Sequence, residues 1–146
     1  LMIDINKEIK AAMLAKDSLR LASLRAIKTA FMMAETEKGA GNLTAEGQLK
    51  IIQKQVKQRK DAAAIYQQQG RADLVEDEMA QVVVLESFLP EQMSEEEIEN
   101  AVKGIIIDLG ASSMADMGKV MGVASKQLSG QADGKVIATK VRQLLA

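Results

Sequence analysis

This chain has no cysteine, no histidine and no tryptophan, a single proline, and only three aromatic rings, Phe31, Tyr66 and Phe88. Each absence removes some chemistry. Without cysteine there is no disulfide, no thiolate nucleophile and no thiolate metal site, and a reducing, cytoplasmic setting is expected. Without histidine the usual general base near neutral pH is missing. The three rings all fall in apolar stripes, which argues against gripping single-stranded nucleic acid by base stacking, since that needs exposed rings. No apolar run approaches the roughly 18 residues a membrane span requires, and no signal-peptide pattern opens the chain. Met2, after Leu1, is read as the natural start, and no membrane partner is expected.

What is present reads as helix throughout. Apolar residues recur at three- and four-residue intervals, and no stretch alternates as a strand would. The first helix covers about 4–15, with Ile5, Ile9, Ala12 and Met13 inward. Asp17 caps a second that runs to about Lys38 and stops at Gly39. This helix has two apolar stripes, one with Leu21, Leu24, Ile27, Phe31 and Ala34, the other with Leu19, Ala22, Ala26, Ala30 and Met33. Apolar on two sides, it is expected to be packed by several neighbours. Thr44 caps a long third helix ending at Gly70, lined by Leu49, Ile52, Val56, Ala63 and Tyr66. A short turn leads into a fourth from about Asp73, with Val75, Met79, Val82, Val83 and Leu89 inward, so that helices three and four form an antiparallel hairpin. Pro90 is the best boundary. Beyond it, Ser94 with Glu97 makes a capping box for a fifth helix that presents Ile98, Ala101, Val102, Ile105 and Leu109. Two more helices follow, the last carrying Ile137, Val141, Leu144 and Leu145. The expected fold is all-α, with an N-terminal helical array over 1–90 followed by a small C-terminal three-helix bundle over 91–146.

Net charge is −1 over 146 residues, but it is unevenly distributed. Residues 1–60 hold twelve basic against six acidic groups, whereas 61–100 hold Arg71 alone against eleven acids. The remainder is basic again. Two basic ends around an acidic middle do not make a general polyanion binder, but they permit a localised basic face. On the third helix, Lys50, Lys54, Lys57 and Lys60 fall on such a face, with Arg59 on the other flank, and Lys50, Lys54 and Lys57 could meet phosphates on successive turns. Its acidic hairpin neighbour offers the alternative that these lysines are spent on surface ion pairs, each worth roughly 0–1 kcal/mol.

The stretch from Gly110 to Lys135 is the most informative. Ser113 followed by Asp116 reads as a capping-box variant. The helix it opens places Met114, Met117, Met121, Ala124 and Leu128 on one stripe. Gly118 and Gly122 lie four apart, leaving one face without side chains, with Lys119 and Lys126 at its edge. A glycine inside a helix costs about 1 kcal/mol relative to alanine, so two on one face imply that something approaches this backbone closely. A neighbouring helix of the same domain would do so; so would a phosphate backbone, with the lysines as counter-charges. Asp133 before Gly134 caps the last helix.

Catalytic candidates are few. Ser112 or Ser113 with Lys119 is the one serine–lysine combination, and capping accounts for Ser113. Glu95, Glu96, Glu97 and Glu99 resemble a metal cluster, but acids belong at the start of a helix, where its dipole is positive. No catalytic residue, metal or cofactor is therefore assigned.

The order of these pieces resembles the small YqeY proteins. The matching segments are Lys16-Asp17 with Arg20-Leu21 and Leu24-Arg25, then Gln55 through Lys60, then Gly70-Arg71 with Asp73-Leu74. They continue through Phe88-Leu89-Pro90-Glu91-Gln92, Gly110 to Gly122, and Gly130 to Lys135, covering nearly the whole chain. The last bundle, around Gly118–Met121 and Gly130–Leu145, is also similar to the tail domain of the B subunit of the tRNA-dependent Asp/Glu amidotransferase, although Asp133-Gly134 stands where that domain often has Asn-Pro. The resemblance implies an accessory protein of translation that associates with tRNA and lacks the amidotransferase's catalytic domains. The candidate RNA-binding residues are then Gly118, Gly122, Lys119, Lys126 and Lys135, with Lys50, Lys54 and Lys57 as a second surface. DNA is not expected as a partner. The rival reading is a protein–protein interaction module that uses the acidic middle segment.

Overall fold

The computed structural model describes residues 2–37 and 41–146. Among these there are seven α-helices and no strand, so the protein is all-α as expected: α1 (Ile5–Leu14), α2 (Ser18–Thr36), α3 (Ala45–Gln68), α4 (Ala72–Glu86), α5 (Glu95–Leu109), α6 (Met117–Gln127) and α7 (Gly134–Leu145). A single 3₁₀ turn, Met114–Asp116, precedes α6. No described helix is long and apolar enough to cross a membrane. The chain divides into two compact units, Leu1–Leu89 and Pro90–Ala146.

Helix starts in the first unit follow the capping residues. Asp4 accepts from the Lys7 N–H at 3.2 Å, Asp17 from Arg20 at 3.0 Å and Thr44 from Gly47 at 3.0 Å, each satisfying an amide that the helix itself leaves unpaired. The stop after α3 is Gly70 at φ 69°, across which the Arg71 N–H reaches back to the Tyr66 carbonyl at 2.9 Å. Lys16 plays the same part after α1 at φ 56°, where glycine is the usual choice. The expected stop of α2 at Gly39 lies outside the described residues.

The core of this unit joins Ala12, Leu24, Ile27, Phe31, Ile52, Val56, Val82 and Leu85. Leu24 and Ile27 are fully buried, each contributing about 1.5–3 kcal/mol by leaving water. Gln48 is also buried, and its amide clamps the extended N-terminus, accepting from the Ile3 N–H at 2.8 Å and donating to the Ile3 carbonyl at 3.2 Å.

Three expectations fail here. The second stripe of α2 is uncovered: Leu19, Ala22 and Ala26 are exposed and Met33 is 67% exposed, because the neighbours of α2 all pack on its Leu24 side. On α4 the inward line turns out to be Val82 and Leu85, with Met79 and Val83 facing out. The inward positions follow the spacing Val75, Glu78, Val82, Leu85, which puts a charged residue in the line, and Glu78 pairs with Arg59 of α3 at 3.3 Å. Met13 of α1 is likewise exposed.

In the second unit Ser94 and Glu97 form the full capping box, the serine hydroxyl accepting from the Glu97 N–H at 3.1 Å and the carboxylate from the Ser94 N–H at 3.0 Å. Gly110 ends α5 at φ 64°. Ile98, Val102 and Ile105 of α5 meet Val120, Ala124 and Leu128 of α6 and Ile137, Val141 and Leu145 of α7 in one core. Gln92 and Met93 strap the start of the unit to the turn between α6 and α7. The Gln92 amide donates to the Gly130 carbonyl at 2.6 Å, and the Met93 N–H to the Gln131 carbonyl at 2.9 Å.

Candidate nucleic-acid interface

The start of α6 differs from the reading of its sequence. The Ser113 side chain caps nothing; instead the Asp116 carboxylate turns back to accept from the Ser112 N–H at 3.0 Å. The backbone N–H groups of Ser112 and Ser113 hold the Asp116 carboxyl below its usual value, with a smaller contribution from the Lys119 charge. A carboxylate at this spacing serves either the amides ahead of it or those behind. Here the 3₁₀ turn, closed by the Asp116 N–H on the Ser113 carbonyl at 2.9 Å, points it backwards. No side chain therefore caps α6 itself.

The buried line of α6 is Val120, Ala124 and Leu128, with Met117 and Met121 half-buried beside it and Met114 45% exposed. Val120, fully buried at the head of that line, was absent from the expected stripe. On the opposite side lie Gly118 and Gly122, both exposed, and a Cβ added at either would meet nothing within 4 Å. No helix of the unit is seated on them, which removes the intramolecular packing explanation. Lys119 and Lys126 flank this bare backbone. Lys135 stands in the first turn of α7, where its N–H donates to Asp133 at 2.7 Å. All three lysines are exposed, and none makes an ion pair among the described residues.

The second candidate surface lies on α3, in the other unit. Lys50 pairs with Glu46 one turn earlier on the same helix at 3.3 Å. Two acids of α4 meet α3, Glu78 through Arg59 and Glu86 through Lys60 at 3.7 Å. Lys54 and Lys57 are exposed and hold no ion pair among the described residues. The hairpin thus engages Arg59 and Lys60 and leaves those two lysines to solvent.

Neither Ser112 nor Ser113 is hydrogen-bonded to Lys119 through its side chain. Among the described residues no group of three or more acidic side chains is arranged to hold a metal, and Glu97 is engaged in its capping box, which holds its carboxyl below the usual value through the Ser94 N–H and hydroxyl.

Fold and site together describe a small all-helical protein with cationic surface patches on α3 and α6. This chain belongs to the Yqey-like protein family, which matches it over residues 3–145. It is similar to proteins named "Altered inheritance of mitochondria protein 41, mitochondrial" from three fungi. The Kluyveromyces lactis protein is 29% identical over 141 residues, 94% of this chain and 72% of its own length. That of Pyrenophora tritici-repentis is 30% identical over 145 residues, 97% of this chain and 78% of its own. The Lachancea thermotolerans protein is 28% identical, with 75% of this chain and 60% of its own length covered. These names overturn the cytoplasmic expectation, since all three relatives are named as mitochondrial. The physical reason is plain: a lack of cysteine reports a reducing potential, and that is not an address.

Proposed function

We propose that this protein is an accessory, tRNA-associated factor without catalytic domains of its own, related to the tail of the tRNA-dependent amidotransferase, and that it meets the phosphate backbone of folded RNA through α6. One observation carries the reading. Gly118 and Gly122 are exposed inside a helix with open space above them. Each costs about 1 kcal/mol relative to alanine, and no packing within the unit repays it. A phosphate backbone can lie against such a strip because nothing projects from it, and Lys119, Lys126 and Lys135 supply the counter-charge. Shape and phosphate contacts suffice for a folded RNA, which suits a chain with so few rings. Lys50, Lys54 and Lys57 form the second surface.

A second reading has its own support. On α4, Glu76 and Asp77 hold no ion pair among the described residues and lie beside the exposed Met79 and Val83. An acidic, apolar face of this kind suits a basic protein partner. Crosslinked pull-down from cells, with RNA sequenced and proteins identified together, separates the two. Enrichment of tRNA is the expected result; a protein partner retained after RNase, with no tRNA enrichment, would replace the first reading with the second.

A further inference from the structure

Helices α2, α3 and α4 border a pocket of about 170 Å³ lined in part by Ser23, Gln55, Gln58, Arg59 and Gln81. A cavity of roughly 150 Å³ holds one benzene ring, so this one has room for a single small ring system. Ser23 is only 6% exposed, and its hydroxyl has no hydrogen-bond partner among the described residues. Buried hydroxyls nearly always have one. Ser23 sits beside Leu24 on the inner side of α2, where an alanine would avoid the cost. The amides of Gln55, Gln58 and Gln81 form no hydrogen bond with the rest of the described chain. Three glutamines without a hydrogen bond among the described residues and a buried serine therefore border one small space.

Charge narrows the occupant. Among the described residues Arg59 is the one cation in the lining, and Glu78, with a side chain only 13% exposed, already neutralises it at 3.3 Å. A carboxylate or phosphate placed here would bring a second negative charge towards Glu78. An uncharged ligand is favoured, with several donors and acceptors. A glutamine amide presents its carbonyl and its NH₂ side by side, the pattern that matches two adjoining atoms on the edge of a nucleobase. Ala26 and Leu85 add apolar wall to the same pocket, suited to the faces of a flat ring.

We propose that this pocket takes one uncharged nucleobase, supplied either as a free nucleoside or as an unpaired base of an RNA strand. The inference is independent of the α6 reading, since no residue is shared. The test is NMR of the full ¹⁵N-labelled chain, titrated singly with adenosine, guanosine, cytidine and uridine to about 10 mM. The base, the part that enters the pocket, has about ten non-hydrogen atoms and supports a Kd on the order of 1 mM. At least one nucleoside is expected to shift the side-chain amide signals of Gln55, Gln58 and Gln81 in a saturable way. Gln55→Leu with Gln81→Leu should weaken that binding tenfold or more, and Lys119→Glu with Lys126→Glu should leave it unchanged. A short single-stranded RNA of the preferred base that binds more tightly than the nucleoside identifies the strand as the source; equal or weaker binding identifies the free nucleoside. If no nucleoside moves these signals in the wild-type protein, or if acetate or glycine moves them and nucleosides do not, the proposal is wrong. Both of those outcomes are read on the wild-type protein and need no variant to fold.

Discussion

At the scale of single residues, the glycines and the capping acids carry the clearest consequences. Gly122→Ala places a methyl group in open space on an exposed helix. It should raise the stability of the free protein by about 0.5–1 kcal/mol, or a few degrees in Tm for a unit of this size. A larger residue at Gly122 would likewise meet no neighbour at its Cβ. Gly104, inside α5, is a third exposed glycine with open space around it and serves as the control. Both alanine variants should melt higher, and only Gly122→Ala should weaken tRNA binding. Equal tRNA affinity in the two would show that the bare strip is not where RNA rests. A different experiment concerns Glu97, whose carboxyl is held below its usual 4.5 by the Ser94 N–H and hydroxyl. A depressed folded-state value means that its contribution is complete above about pH 4.5 and fades as pH falls through the folded value. Urea unfolding should therefore find Glu97→Gln less stable than wild type at about pH 6, with the gap closing by about pH 3. A gap that stays constant across that window would mean that the carboxylate's charge is not what matters.

At the scale of elements, the sequence made helix existence legible and left helix orientation less so. Capping residues and glycine stops are local signals, and Asp17, Thr44, Ser94, Asp133 and Gly70 each act where the pattern placed them. The inward line of α4 was harder to read, because Glu78 interrupts its apolar spacing between Val75 and Val82. Glu78 meets Arg59, while Val82 and Leu85 lie in the core and Met79 and Val83 outside. Nothing in the apolar periodicity alone announces such a pair. Similarly, the spacing of Gly118 and Gly122 was plain in the sequence, whereas the emptiness above them needed the positions of α5 and α7. The Arg59–Glu78 pair also invites a test. Arg59→Ala leaves a mostly buried carboxylate unpaired and should destabilise the protein by about 1–3 kcal/mol. Adding Glu78→Leu should recover most of that loss, since replacing both members of a buried pair with apolar groups is often neutral. Thermal or urea unfolding of the two variants reads this directly, and a double variant no more stable than Arg59→Ala would contradict it.

At the scale of the whole molecule, the protein is two helical units, each with its own core, in one chain of the Yqey-like family. Lysines without an ion pair among the described residues occur in both, Lys54 and Lys57 in the first and Lys119, Lys126 and Lys135 in the second. The central claim is that the α6 face meets RNA phosphates, and counterion release gives it a quantitative signature. The most direct measurement is tRNA affinity over a series of salt concentrations for the wild type and for Lys119→Glu with Lys126→Glu. Each lysine that touches a phosphate contributes about one unit to the slope of log affinity against log salt. The double variant is expected to lose about two units of slope and at least tenfold in affinity, with an unchanged Tm. A folded double variant that binds tRNA with the wild-type affinity and slope would contradict the claim, and would leave Lys50, Lys54 and Lys57 as the surface that remains.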